Sequence, residues 1–131
     1  MIETSDLAQI GLSLEGKERL DRLKDDGYFN ELRDAYRFAV AFALAKGCTP
    51  PEIQSTRRTM FGIATVDPDG TLATAIGELL PCNEVAPYRW AERLAEAGSK
   101  MITDIEKDRG FDLGAMLAEA DLPEIEEAAQ Q

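Results

Sequence analysis

The sequence predicts a mainly α-helical fold: a strand-helix-helix unit at the N-terminus, then a short extended segment and three to four short helices. Three observations predict it. Apolar residues recur at helical spacing through most of the chain, with glycines where helices would end. One stretch, residues 9–14, alternates apolar and polar side chains instead, which is the period of a half-buried strand. The run over residues 29–46 is apolar almost all round, so it needs cover on two sides.

In chain order, residues 1–7 are a lead-in. Ile10, Leu12 and Leu14 then alternate with Gln9, Gly11 and Ser13, and Gly11 lets another backbone come close. Over residues 15–26, Leu20 and Leu23 make an apolar stripe while Lys17, Glu18, Asp21, Arg22, Lys24 and Asp25 face water. Gly27 ends that helix as a left-handed cap. Asn30 suits the N-cap and Glu31 the first turn of the next helix, which Gly47 closes ahead of Thr49-Pro50-Pro51. Along it Leu32, Ala35, Tyr36, Ala39, Val40, Ala43 and Leu44 line one face, and Phe38 and Phe42 load another. In so small a chain a second subunit is a natural cover for one of the two faces.

Residues 49–59 read as a polar connector and residues 60–66 as an extended segment. Asp67-Pro68-Asp69-Gly70 is a turn, with proline fixing φ and glycine able to take a positive one. Residues 71–80 place Leu72, Ile76, Leu79 and Leu80 on one helical face, capped by Asp69 or Thr71; a hairpin strand over residues 71–76 is the rival reading. Pro87 opens a helix expected to stop at Gly98, with Trp90, Leu94 and Ala97 inward. Ser99 caps another that buries Met101, Ile102 and Ile105 and ends at Gly110. Asp112 caps a last helix over residues 113–120, and residues 121–131 form an acidic tail.

A chain of 131 residues suffices for one domain with a core. The simplest organisation is a single unit over 1–131: an oligomerisation module (8–47), a helical extension (49–120) and the tail (121–131). With 44% hydrophobic and 30% charged residues the composition is globular. The longest apolar run, residues 38–45, falls far short of the ~20 residues a membrane span needs. The opening MIETSDLAQ has neither the basic nor the long apolar region of a secretory signal, so the expected location is the cytoplasm, with Cys48 and Cys82 as reduced thiols.

The net charge of −11 is uneven: residues 1–48 hold seven basic and nine acidic side chains, residues 49–131 seven and sixteen. Such a field repels phosphates. The window 53–66 is nevertheless free of acids and carries Arg57 and Arg58, which suit a phosphate or a partner's carboxylate. The chain has no histidine, which removes the commonest general base and zinc ligand. Two cysteines alone make no metal site, and neither a phosphate-cradling glycine loop nor a nucleophile-elbow string is present. No metal or cofactor is expected.

The strand, helix and helix over residues 9–47 resemble the ribbon-helix-helix family of DNA-binding dimers, the Arc and MetJ type. In that family the strands of two subunits pair and their outward side chains enter the major groove. The resemblance implies base contacts from Gln9 and Ser13, beside Gly11, and a homodimer or higher homo-oligomer. Its interface would hold Ile10, Leu12 and Leu14 together with Tyr36, Phe38, Val40 and Phe42 of the apolar helix. No arginine or lysine lies on the strand. Leu12, Ser13, Lys17, Arg19, Leu20, Leu23 and Lys24, followed by the apolar helix, are also similar to the opening of the small E component of bacterial DNA phosphorothioation systems. That family is helical and self-assembling, and acts on DNA within a multi-protein modification and defence system.

Residues 63–72, IATVDPDGTL, are similar to the first motif of haloacid-dehalogenase-like phosphatases. The similarity would make Asp67 the nucleophile and Asp69 a general acid beside magnesium, with Lys100, Asp104 and Asp108 in the supporting roles. The chain after Thr71 is too short for a parallel sheet and reads as helix, and a tight Pro-Asp-Gly turn explains every residue. The expectation is therefore a non-enzyme: an oligomeric DNA-associated regulator or accessory subunit of a DNA-modification system, touching DNA through Gln9, Ser13, Arg57 and Arg58. The competing class is an acidic protein-interaction subunit that makes no DNA contact.

Overall fold

The computed structural model describes residues 9–53 and 56–109. In order it contains β1 (Gln9–Leu12), α1 (Leu14–Asp25), α2 (Leu32–Ala45), β2 (Arg58–Gly62), α3 (Ile63–Val66), α4 (Thr71–Leu79) and α5 (Pro87–Arg109). The architecture is mainly helical with one small antiparallel sheet. The tail and the expected helix over 113–120 lie outside the described residues. No described helix is long and apolar enough to cross a membrane.

The helix ends follow from their glycines. Past α1, Gly27 takes φ 90°, its N–H reaches the Lys24 carbonyl at 2.9 Å, and the Tyr28 N–H reaches that of Leu23 at 3.1 Å. Past α2, Gly47 at φ 77° repeats the arrangement, with the Cys48 N–H on the Ala43 carbonyl at 3.1 Å. Both are double-bonded left-handed caps that satisfy last-turn carbonyls. The N-terminus of α2 differs from expectation: Glu31, not Asn30, is the cap residue, and it makes no side-chain cap bond. Its carboxylate instead meets Arg33 at 2.9 Å.

The strand ends earlier than its alternation suggests. Ser13 turns out of β1 to cap α1, accepting from the Gly16 N–H at 3.0 Å, so Leu14 is the first helical residue and is 44% exposed. A hydroxyl able to satisfy a helix N–H outweighs one more residue of strand. β1 pairs in antiparallel fashion with β2 of the same chain, Gln9 opposite Gly62 and Leu12 opposite Arg58, with a bulge between Ile10 and Gly11. At Gly11 a Cβ would sit 1.9 Å from the Arg58 carbonyl oxygen, so only glycine admits this approach. The expected extended segment over 60–66 is split: it stops at Gly62 and turns helical over α3.

Gly98 does not end a helix. α5 runs unbroken past it, and its missing side chain serves packing: a Cβ there would lie 2.0 Å from the Ala39 carbonyl oxygen of α2. Ser99 is no cap either, since its hydroxyl donates back to the Glu96 carbonyl at 2.9 Å inside the helix. α5 is thus one long element laid across α2, and it also packs on α1, α4 and β1. The core gathers Ile10 and Leu12 from β1, Leu20 and Leu23 from α1, Tyr36, Val40 and Phe42 from α2, and Leu94 and Ile102 from α5. α4 is helical, as preferred over the hairpin, and Ile76 is its buried residue.

Candidate functional site

Residues 89, 92 and 96 recur every three or four positions on α5, so their side chains share one side of the helix. That side faces β1 and the start of α1. Glu92, 3% exposed, accepts the Gly11 N–H at 2.8 Å. Arg89 donates to the Gln9 carbonyl. Glu96 accepts the Ser13 hydroxyl at 2.6 Å and the Ser13 N–H at 3.3 Å. The fully buried Tyr36 of α2 donates its hydroxyl to the Gly11 carbonyl at 2.9 Å. Side chains of α5 and α2 therefore satisfy backbone groups of β1 that β2 does not, and the outer side of β1 is closed.

The buried Glu92 carboxylate is held by two cations, Arg57 Nη1 at 2.9 Å and Arg89 Nη1 at 3.1 Å. Burial pushes its pKa up, and the Gly11 N–H, Arg89 and Arg57 oppose that shift. Burial, with Glu92 next, also holds the Tyr36 phenol well above its ordinary value, so it stays a hydrogen-bond donor. Arg57 and Arg89 stand in a cleft of about 520 Å³ between the end of the connector and the start of α5. Glu92 and Arg93 also line it, with Ile53, Val85 and Ala86 as its apolar part and Glu52 and Glu84 as its acidic members. The Arg93 guanidinium lies over the Trp90 ring, 5.0 Å from its centroid.

The Asp67 carboxylate is 3% exposed and fully engaged. It accepts the Leu72 N–H at 2.9 Å, the Ala73 N–H at 3.1 Å and the Tyr88 hydroxyl at 2.8 Å. It thus satisfies two first-turn N–H groups of α4, whose N-cap position is Gly70, while Asp69, one of the two expected caps, accepts the Thr71 N–H. Burial, then the Asp67 hydrogen bond, raises the Tyr88 phenol to about 12. Asp69 accepts from the hydroxyl and N–H of Thr71, and these bonds lower its carboxyl below the usual value. Among the described residues no group of three or more Cys, Asp or Glu side chains is placed to hold a metal ion.

The residues singled out in the sequence have separate fates. Ser13 is 1% exposed and bonded inward. Gln9 and Arg58 are exposed on the β1–β2 ribbon, while Arg57 is half-buried against Glu92. Ile10, Leu12, Tyr36, Val40 and Phe42 are 0% exposed within one chain. Phe38 is half-buried between Phe29 and Phe42, at ring separations of 5.5 and 6.0 Å. Sequence reading missed Glu92, Glu96, Arg89 and Arg93. Their signal was weak: Glu92 follows the buried Ala91 and precedes Leu94 and Ala95, so an acid sits at the edge of an apolar stripe. Comparison with protein-family models, curated proteins and solved structures finds no match.

Proposed function

We propose that this protein is a non-catalytic, acidic protein-interaction subunit that makes no direct contact with DNA. One observation carries the reading: Ser13 and Arg57, two of the four side chains expected to touch DNA, are spent inside the chain. Ser13 is turned onto Glu96 and Gly16, Arg57 is neutralised by Glu92, and β1 has both edges occupied. The net charge of −11 opposes approach to a polyanion. Leu79, 65% exposed, Leu14 and Tyr28 offer apolar contacts to a protein partner instead. Asp67, engaged by three donors, acts in this reading by holding the first turn of α4 and not as a nucleophile.

The reading keeps self-association but moves it. Residues 58–61 make no backbone hydrogen bond beyond the ladder with β1 among the described residues. A second copy adding to β2 would extend the sheet to four strands and remove that open edge. Sedimentation of the full chain at micromolar concentration is expected to give a dimer or larger species, and Met60→Pro is expected to return it to a single chain. A single chain at every concentration would refute self-association.

A specific observation favours a second reading, DNA association as a regulator or accessory subunit. Gln9, Arg58 and Thr59 are all exposed on one antiparallel ribbon, and Arg58 has no carboxylate partner among the described residues. Salt-sensitive duplex binding that is lost in Arg58→Glu would establish it.

A further inference from the structure

Three arginines, Arg57, Arg89 and Arg93, line the cleft at the start of α5 together with Glu52, Glu84 and Glu92, and of these acids Glu92 is the one bonded to Arg57. Arg57 spends one N–H on Glu92, and its other donors have no acceptor among the described residues. Arg93 is laid over Trp90 and likewise meets no carboxylate there. Two partly unsatisfied guanidinium groups, one pinned by an aromatic ring, thus share a cavity of about 520 Å³ with Ile53 and Val85. A guanidinium fork matches a carboxylate edge, and a stacked one loses little freedom on binding. The cavity volume is that of a small organic ligand.

From this geometry we infer that the cleft binds a single carboxylate carried on a short apolar stem. The carboxylate meets Arg93 and the unspent donors of Arg57, and the stem lies on Ile53 and Val85. Glu52 and Glu84 line the same cleft and disfavour a second negative charge, so a phosphate dianion is the poorer ligand. Two sources carry this chemistry, a free branched-chain acid and the C-terminus of a peptide ending in valine or leucine. The site is independent of the interaction reading above, which needs no ligand in this cleft.

Trp90 is the only tryptophan in the chain, and with Arg93 of the cleft laid over its ring its fluorescence reports on the cleft through that contact. The full-length protein is titrated with 4-methylpentanoate, with acetyl-Ala-Ala-Val as free acid and as amide, and with inorganic phosphate. A saturable change is expected with the free acids, weakened about tenfold or more for the amide and for phosphate, since each loses or mismatches a charge-assisted pair. Tighter binding of the peptide acid than of 4-methylpentanoate assigns the peptide source, and the reverse order assigns the free acid; either order supports a carboxylate site. Arg93→Gln is expected to abolish the response while the far-ultraviolet dichroism stays unchanged, and Arg57→Gln to weaken it. No saturable response to either acid, equal binding of acid and amide, tighter binding of phosphate, or a response retained in Arg93→Gln would overturn the assignment.

Discussion

Gly98 gives the sharpest test of how α2 and α5 meet. In Gly98→Ala the new Cβ would lie 2.0 Å from the Ala39 carbonyl oxygen and 2.7 Å from its carbon, backbone atoms that cannot rotate away. Restoring an ordinary contact requires the two helices to part by about 1.4 Å, a gap that forfeits much of the dispersion energy of the atoms around it. Those atoms belong to the central packing of Ala39, Ala43, Ala91, Leu94 and Ala95. Overpacking of this kind costs about 1–3 kcal/mol or more, against which alanine returns roughly 0.5–1 kcal/mol of helix propensity. The clash wins, and a net loss of about 1–2 kcal/mol is expected. Gly77 supplies the control. It too is helical, but a Cβ there meets nothing within 4 Å, so Gly77→Ala should gain about 0.5–1 kcal/mol. Urea unfolding of the two variants reads the difference directly. Equal stabilisation by both alanines would refute the close crossing of α2 and α5.

Three further variants, two at polar groups and one in the core, have defined outcomes. Glu92 is held above its ordinary 4.5 by burial, so the native chain binds that proton more readily than the unfolded one. Its contribution to stability is therefore fully present below pH 4.5 and lost as pH rises through the raised value. The stability difference between wild type and Glu92→Gln should accordingly shrink from pH 4 to pH 7 in urea midpoints, and a difference that grows would contradict the burial. Asp67→Asn should bring the Tyr88 phenol below about 12 in a titration followed near 295 nm, while leaving it above 10 because the burial remains. The same variant should lose roughly 1 kcal/mol with the weakened hold on the first turn of α4. Val40→Asp places a charge at a position with no exposure and should unfold the chain at any protein concentration, as read by near-ultraviolet dichroism.

The local features were legible because their causes are local. Gly27 and Gly47 end helices through their own backbone freedom, and the Leu20/Leu23 stripe and the 67–70 turn are written in consecutive residues. What escaped depends on residues far apart in sequence. β1 was read as a ribbon awaiting a second copy, yet its partner is β2, which sits beyond the whole of α2. Gly98 looked like a stop signal because its real constraint, the Ala39 carbonyl, belongs to another helix. Ser13 looked like an outward strand residue because its period continued that of the strand, while its acceptor, Glu96, lies on α5. Arg57 was legible as a candidate, but not the buried Glu92 that holds it, since an acid at the edge of an apolar stripe in an otherwise charged helix carries only a weak mark of burial.

Ser13 and Arg57, two of the expected DNA contacts, are committed within the chain, and duplex binding at low salt tests most directly whether the remaining ribbon surface still takes DNA. Titration of the full-length protein into a fluorescent random-sequence duplex at about 50 mM salt should show no binding into the micromolar range. Micromolar or tighter binding that weakens steeply with salt and disappears in Arg58→Glu would contradict the proposal of no DNA contact.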